Sequence, residues 1–328
     1  MGYCITLKRN MKTPSLFNFF KRAGGQGPRV SVSFSGNSVL FVGVKRSGGQ
    51  IKVVNFASRP FSVGTSQELA KLCGVLNLSG SSFSTLLGHG EYQLQVIEAP
   101  NVPTEELKSA VRWQIKDLLS YHVDEAMIDI LQIPSAKQGI DRPQSLYVVA
   151  ASKVLIKKRS SLFASAKLDL NTIDIPEMAQ RNIATLFEDE GRGLALLAFD
   201  EIGGMLTFTS GGELYLARRI DISMGQLQDA DESLRKQYFE RLELGVQRSM
   251  DYFDRQFNHV TVSRLLVALP ARIGLVDALR ENLYVPVEHL DLKQVLDMSK
   301  IPELDDEEAQ FNAFYGLGAA LRQESRAT

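Results

Sequence analysis

The side chains with potential chemistry in this sequence are small and polar residues at glycine-containing turns. The stretch Arg29–Phe56 alternates apolar and polar residues on both sides of the turn Ser35-Gly36-Asn37, a pattern typical of consecutive antiparallel hairpins. A second pair of β-rich runs flanks Gly203-Gly204. The chemistry that such turns offer is anion binding, because turn glycines bring backbone N–H groups close to phosphate oxygens.

No other pattern in the sequence indicates catalysis or a metal site. The motifs G-x-x-x-x-G-K-[ST], G-x-G-x-x-G, H-E-x-x-H and C-x-x-C are all missing. The four histidines are dispersed without the spacing of metal ligands, and the serines around Ser82 have no base beside them in the sequence. Basic residues do not alternate with aromatic ones as on a nucleic-acid-binding surface. We expect no enzyme activity, no metal and no nucleic-acid partner.

Length and composition are those of a globular protein of one bilobal unit or two domains. The 328 residues are 44% hydrophobic and carry a net charge of −1. No apolar run reaches the roughly 20 residues that span a bilayer, and two cysteines suit a reducing compartment. The charge is uneven: the first 67 residues hold ten basic and no acidic side chains, so the remainder carries a net −11. A basic end attracts an anionic membrane surface, an acidic partner or the acidic half of the chain itself.

Hydrophobic periodicity predicts two α/β halves, each beginning with a set of hairpins and continuing into helices. The apolar spacing predicts helices over 66–77, 104–120, 153–166, 176–188, 231–257, 272–283 and 311–322. An acidic linker over 303–308 precedes the last of these. Trp113, the single tryptophan, falls off the apolar stripe of its helix, as is typical of a residue that packs on another subdomain or binds a partner. The pattern indicates a duplicated α/β core with an insertion.

Four separated stretches resemble the PilM group of type IV pilus assembly proteins, in the order found in that family. They cover most of the chain and are the opening hairpins Val30–Ala57, the segment Pro103–Leu131 with its Arg-Trp helix, the helix Leu244–Gln256 and the closing helix Asn312–Arg322. Within the group, the basic-aromatic start and the altered hairpins are most similar to the proteins of the mannose-sensitive haemagglutinin (MSHA) pilus.

The resemblance implies an α/β, actin-like fold (ribonuclease H-like, ASKHA class) with two lobes and a small α/β subdomain inserted in the first. The domain boundaries that follow are 1–28 for a flexible basic tail, 29–82 for the first lobe, 83–167 for the insertion, 168–190 for the return to the first lobe, 191–308 for the second lobe and 309–328 for a C-terminal helix that packs back on the first lobe.

The same resemblance implies a nucleotide site whose key residues are altered here. The family pattern Asp-Ile-Gly-Ser-Ser-Ser-x-Lys aligns with Ser33 to Leu40, so the Mg²⁺-binding carboxylate becomes a hydroxyl. In the second hairpin, Asp200 matches the family aspartate only after two turn residues are deleted. Leu269-Pro270 stands where a glycine run should face the adenosine. Losing one carboxylate removes contacts worth about 1.5–3 kcal/mol each. The positions of this degenerate site are Ser33, Ser35, Gly36, Asn37, Ser38, Asp200, Gly203, Gly204, Leu269 and Pro270.

By resemblance, the partner is a PilN-type bitopic inner-membrane protein, whose short cytoplasmic N-terminal peptide enters a groove between the first lobe and the insertion. The residues that we assign to that groove are Trp113, Leu119 and Tyr121. We therefore expect a scaffold without a cofactor at the cytoplasmic face of the bacterial inner membrane. Self-association and contact of the basic tail with the membrane are further expectations.

Three alternatives stay open at the level of sequence. The first is an actin-like protein that binds ATP with Mg²⁺ and whose nucleotide state regulates pilus assembly. The second is a cytoplasmic component of type II secretion similar to GspL, although GspL proteins carry a transmembrane helix that does not follow this sequence. The third, a sugar kinase, requires a catalytic carboxylate between the lobes, and none is identifiable.

Overall fold

The computed structural model describes residues 27–103, 105–135, 144–200, 202–229 and 231–322. The predicted tail therefore lies almost wholly outside the described residues. The strands are β1 Arg29–Ser35, β2 Ser38–Ser47, β3 Gln50–Pro60, β4 Ser82–Leu86, β5 Tyr92–Glu98, β6 Ala126–Gln132, β7 Ser145–Ser152, β8 Asp169–Asp174, β9 Gly193–Phe199, β10 Gly204–Ser210, β11 Glu213–Ile220, β12 Val262–Ala268 and β13 Val287–His289. The helices are α1 Ser66–Val75, α2 Leu107–Ile115, α3 Lys153–Ser165, α4 Pro176–Ala184, α5 Met224–Leu227, α6 Glu232–Gln256, α7 Leu275–Asn282 and α8 Glu307–Leu321.

Two five-stranded sheets share one topology. The first has the order β3-β2-β1-β4-β8 and the second the order β11-β10-β9-β12-β13. In each, an antiparallel three-stranded set is followed by two parallel strands. Alternation of apolar residues produces this layering, since Val30 and Val32 face one side of the first sheet while Val42 and Val44 face the other. The duplicated α/β core is thereby confirmed, and the chain has the bilobal actin-like fold.

Helices cover both faces of each sheet, as parallel strands require. On the first sheet, α1 and α3 bury Leu69 and Phe163 on one face, and α8 covers the other. On the second sheet, α6 and α7 cover one face and α4 packs against β9, β10 and β11 on the other. In the described part of the chain, no helix is both long and apolar enough to cross a membrane.

The insertion is smaller than the predicted range 83–167. Its three-stranded sheet has the order β5-β7-β6, with α2 packed on one face through Val111 and Ile115. The strand β4 pairs in parallel with both β1 and β8, so it belongs to the first sheet. The helix α3 also packs on the first lobe, against α1 and β8. Residues at both ends of the predicted insertion are therefore parts of the first lobe, because they complete its parallel strand order.

Two predicted helix boundaries are wrong for local reasons. The helix predicted over 272–283 is interrupted at Gly274, whose φ of +77° is left-handed, and α7 begins after it. The acidic segment 303–308, predicted as a linker, contains the start of α8. The Asp306 side chain accepts a hydrogen bond from the Ala309 amide, and Glu307 and Glu308 occupy the first turn, where the helix dipole favours carboxylates.

The lobes are joined where α4 crosses α8. The backbone of Gly318 in α8 lies so close to α4 that an added Cβ would be 2.2 Å from the Ala179 carbonyl oxygen. Asn182 of α4 donates a hydrogen bond of 2.9 Å to the Gly318 carbonyl. At the end of α8, Arg322 forms an ion pair of 2.7 Å with buried Asp174. Since α4 lies on the second sheet and α8 on the first, this crossing fixes the lobes to each other.

We expect Gly318→Ala to destabilise the protein, because the new methyl group overlaps backbone atoms that cannot move aside. Overpacking of this kind costs about 1–3 kcal/mol, which thermal unfolding would detect as a lower Tm. The matched control is Gly74→Ala in α1, where a Cβ meets nothing within 4 Å. Alanine there should raise stability by up to about 1 kcal/mol through helix propensity. Equal Tm values for the two variants would contradict the close crossing.

Candidate functional site

The three segments of the predicted nucleotide site all follow strands of the two central sheets. Ser35–Ser38 follows β1, Asp200–Gly204 follows β9, and Leu269-Pro270 follows β12. These are carboxyl ends of strands that take part in parallel pairs, the position where open α/β sheets hold ligands. The topology therefore places the predicted segments at the corresponding edges of the two lobes, and the chemistry of each segment decides what it can bind.

The first turn forms two hydrogen bonds within the first lobe. Gly36 has a φ of +52°, and an added Cβ would meet no atom within 4 Å. Glycine is therefore favoured here by the backbone conformation of the turn and not by close packing. The Ser38 hydroxyl donates 2.9 Å to the Ser35 carbonyl, and the Asn37 carbonyl accepts 2.8 Å from the Phe61 amide. Ser35, Gly36 and Asn37 are exposed. The turn is thus a tight, solvent-facing hairpin closed by its own contacts.

Ser33 lies in β1 beside an aromatic cluster. Its hydroxyl oxygen is buried and has no hydrogen-bond partner among the described residues. The neighbouring ring of Phe34 packs against Phe61 at 5.3 Å, and the Arg159 guanidinium stacks over it at 4.7 Å. Arg159 in turn holds Glu91 with two hydrogen bonds of 2.8 and 2.9 Å. The position of the family carboxylate therefore carries a short, neutral side chain, so it contributes no charge for a cation.

Asp200 is the acidic residue at the second turn, and its carboxylate is occupied. One oxygen accepts hydrogen bonds of 3.0 Å from the amides of Ile202 and Gly203. The other oxygen forms an ion pair with Arg219 of β11. A metal ion at this carboxylate would have to displace the guanidinium, whose charge already neutralises it.

The two glycines of this turn are required by packing. An added Cβ at Gly203 would lie 2.6 Å from the Ile220 carbonyl, and one at Gly204 would lie 3.1 Å from the Phe199 ring. Their small size therefore allows β9, β10 and β11 to approach, independently of any bound phosphate.

The third segment is covered by the first turn of α8. Leu269 is buried in the second-lobe core, and the amide of Ala271, directly after Pro270, donates 2.8 Å to the Glu307 carboxylate. A cavity of about 430 Å³ adjoins Leu269, between the ends of β12 and β13 and the start of α8. Its charged lining residues are Asp291, Lys293, Asp305 and Glu307. Since three of these four are acidic, the charged lining of the cavity is negative on balance.

Sequence reasoning missed a buried polar network between these segments. Glu177, in the first turn of α4, accepts a hydrogen bond of 2.6 Å from the Tyr92 hydroxyl of the insertion. Burial raises the pKa of the Glu177 carboxyl above its ordinary value, and the Tyr92 hydrogen bond opposes the shift only in part. One turn later, Gln180 donates to the Leu196 and Met205 carbonyls of the second sheet at 2.7 and 3.0 Å. Neighbouring residues gave little signal, because a glutamate directly after a helix-initiating proline is ordinary at a helix N-terminus.

The predicted partner-binding residues lie on different sides of the insertion. Trp113 is 70% exposed on the outer side of α2, with the Lys116 ammonium 5.6 Å from its ring centre. Leu119 and Tyr121 pack partly buried against the core between α2 and the sheet. Trp113 is therefore the accessible member of the three. No cluster of three or more His, Cys, Asp or Glu side chains that could hold a metal occurs within the residues that the structure describes.

No family model matches the sequence, and no curated protein matches it significantly. Among solved structures, a PilM–PilN type IV pilus biogenesis complex is similar, with a TM-score of 0.68 and 18% identity, covering 90% of this chain and 98% of that one. The cytoplasmic domain of EpsL, an inner-membrane component of the Vibrio cholerae type II secretion system, has a TM-score of 0.49 and 10% identity, covering 91% and 97%. A Bacteroides thetaiotaomicron protein of unknown function with an actin-like ATPase fold has a TM-score of 0.47 and 8% identity, covering 88% and 96%. At such identities, likeness establishes the fold alone.

We expect Glu177→Gln to gain stability relative to the natural chain as the pH rises. A carboxyl whose pKa is raised by folding contributes its full stability below its unfolded value, near 4.5, and loses it as the pH rises through the folded value. Glutamine stays neutral and still accepts the Tyr92 hydroxyl. The difference in Tm between variant and natural protein should therefore increase from pH 4.5 upwards.

The comparison is made by thermal unfolding of both proteins at each pH. Tyr92→Phe, which removes the donor and keeps the ring, should raise the pKa of the Glu177 carboxyl further, so that its loss of stability continues to higher pH than in the natural protein. Stability curves of Glu177→Gln and the natural chain that run parallel across the pH range would contradict a buried carboxylate.

Proposed function

We propose that this chain is a non-catalytic scaffold of a type IV pilus assembly machine at the cytoplasmic face of the bacterial inner membrane. The observation that carries the proposal is the fold likeness to the PilM–PilN complex, at a TM-score of 0.68 over 98% of the matched chain. The four PilM-like sequence stretches also support it, because they follow one another in the order found in that family. Within this group we assign the chain to the MSHA type, as a counterpart of the pilus biogenesis protein MshI, on the basis of its altered hairpins and basic-aromatic start.

The proposed scaffold binds no nucleotide. Three features described above support this part of the proposal: a hydroxyl at Ser33, the Asp200–Arg219 ion pair and the Glu307 carboxylate on the Ala271 amide. Each removes a different requirement for Mg-ATP, namely a metal carboxylate, a second acidic ligand and a free amide beside the base.

The proposed partner is a PilN-type bitopic inner-membrane protein, bound through its cytoplasmic N-terminal peptide. We place the peptide between the first-lobe sheet and residues 103–121, along the edge of the insertion. Two observations support this place. The strand β5 is an edge strand, so its outer backbone groups are available to an extended peptide. The exposed ring of Trp113 lies on α2, close to the end of β5. The next residue, Gln114, donates a hydrogen bond to the Glu98 carbonyl at that end of the strand.

A second candidate function, an ATP-regulated actin-like switch, has the retained bilobal fold in its favour. It differs from the scaffold in one measurable property, which is Mg-ATP binding. A third, a GspL-like component of type II secretion, differs in its partner and would co-purify with secretion proteins instead of pilus proteins.

We expect no thermal stabilisation of the full chain by Mg-ATP. A site with a Kd of about 10 μM would contribute about 2.7 kcal/mol at 1 mM ATP, which raises the Tm by several degrees. The measurement is thermal unfolding with 1 mM Mg-ATP, Mg-ADP or Mg²⁺ alone. A rise specific to Mg-ATP would establish the switch and overturn the scaffold proposal.

We expect Trp113→Ala to weaken binding of the N-terminal peptide of the PilN-type protein by about tenfold or more, as buried aromatic anchors typically do. Fluorescence anisotropy with a labelled peptide measures the Kd. Trp113→Phe should retain most of the affinity, and Val63→Ala, at an exposed residue remote from the insertion, should retain all of it. Full affinity in Trp113→Ala would remove Trp113 from the site.

A further inference from the structure

The outer face of the first lobe is built from two parallel helices, α1 and α3, which pack against each other on the side of the sheet opposite α8. Their inward sides bury Leu69, Cys73, Ile156 and Phe163 in the first-lobe core. Their outward sides form one continuous surface, which we call the α1–α3 face. Neither the candidate nucleotide site nor the proposed peptide groove uses this surface.

The α1–α3 face is strongly cationic. Its exposed lysines are Lys71, Lys153, Lys157, Lys158 and Lys167. In the described chain, no carboxylate lies within 4 Å of any of these ammonium groups, in contrast to the ion pairs of Lys52, Lys108 and Lys293. The helix α3 contains no acidic residue at all. The acidic residue of α1, Glu68, turns its carboxylate to the Gly64 amide at 3.0 Å.

Exposed apolar side chains border these lysines. Val154 lies in the first turn of α3 and is 75% exposed, Val75 ends α1 and is 65% exposed, and Val63 precedes α1 and is 73% exposed. This combination of cations with small apolar groups is what the interfacial region of an anionic bilayer accommodates.

The basic N-terminal segment joins the fold at one end of the same face. Gly27, the first described residue, lies against Gly80, so that an added Cβ would be 2.5 Å from the Gly80 carbonyl. Gly80 lies in the connection between α1 and β4, and Lys167 lies shortly before β8. The first residue of β8 pairs with Ser82 of β4, and Ser82 also pairs with Arg29 at the start of β1. The 26 residues before Gly27 contain five basic and no acidic side chains, together with the apolar run Leu16–Phe20.

We propose that the α1–α3 face docks on the anionic surface of a lipid bilayer, with Lys157 and Lys158 at its centre. Charge complementarity, the exposed valines and the entry point of a basic-apolar segment all favour this partner. Nucleic acid fits less well, because the face presents no exposed aromatic ring on which a base would stack. The first turn of α3 adjoins the insertion, where Lys153 donates 2.6 Å to the Asp124 carbonyl, and Lys157 and Lys158 lie one turn further along the helix.

The test is co-sedimentation of the full chain with vesicles of phosphatidylcholine containing 30% phosphatidylglycerol, and with vesicles of phosphatidylcholine alone. We expect binding to the anionic vesicles that declines with salt. Lys157→Gln/Lys158→Gln should weaken it about twenty-five-fold, since each lysine near an anionic surface contributes roughly fivefold. The matched control is Lys236→Gln/Lys300→Gln, which removes the same charge from exposed positions of the second lobe and should bind like the natural chain.

A full-length variant with Lys8, Arg9, Lys12, Lys21 and Arg22 all changed to Gln separates the face from the N-terminal segment. We expect it to bind more weakly than the natural chain while staying sensitive to Lys157→Gln/Lys158→Gln. Binding that is abolished in this variant, equal loss in the second-lobe control, or equal binding to neutral vesicles would each overturn the proposal. Since the vesicles contain no protein, such a failure leaves the peptide-binding proposal untouched.

Discussion

The close contact between α4 and α8 is the constraint on which the rest of the structure depends. Each helix lies on a different sheet, and they meet where Gly318 leaves no room for a side chain above the Ala179 carbonyl. A contact of backbone against backbone permits little sliding, because small displacements produce overlap. The hydrogen bond from Asn182 to the Gly318 carbonyl adds direction to the contact. The packing of α4 against α8 thus sets the relative position of the lobes.

The buried polar network is built on the same helix. Gln180 is the next residue after Ala179, and its amide reaches two carbonyls of the second sheet, while its oxygen accepts from Tyr315 of α8 at 3.4 Å. Glu177, at the start of α4, connects to Tyr92 at the root of the insertion. One helix therefore contacts both lobes and the insertion.

The sequence allowed those features to be predicted that depend on neighbouring residues. The opening hairpins followed from the alternation around Ser35-Gly36-Asn37, and the duplicated α/β halves followed from periodicity. Features that depend on distant pairs could not be predicted. Nothing local indicates that Asp200 faces Arg219, since their meeting requires the register of β9, β10 and β11. The prediction placed β4 in the insertion instead of the first sheet for the same reason. It pairs with β1, 53 residues earlier in the chain, and such a pairing leaves no local signal in the sequence. The start of α8 was an avoidable error, since Asp306 with two glutamates is a recognisable helix N-terminus.

A fixed arrangement of lobes changes how such a fold can work. An actin-like switch needs two arrangements whose populations a ligand can shift, and a ligand shifts only what it binds differently. In this chain two groups at the predicted Mg-ATP site already have protein partners: the Asp200 carboxylate pairs with Arg219, and the Ala271 amide donates to Glu307. What remains variable is the surface. The insertion offers an edge strand and an exposed tryptophan, and the α1–α3 face offers lysines without acidic partners. Under the scaffold proposal, these two surfaces would hold a partner peptide at a defined position, and partner concentration would set how often that position is occupied.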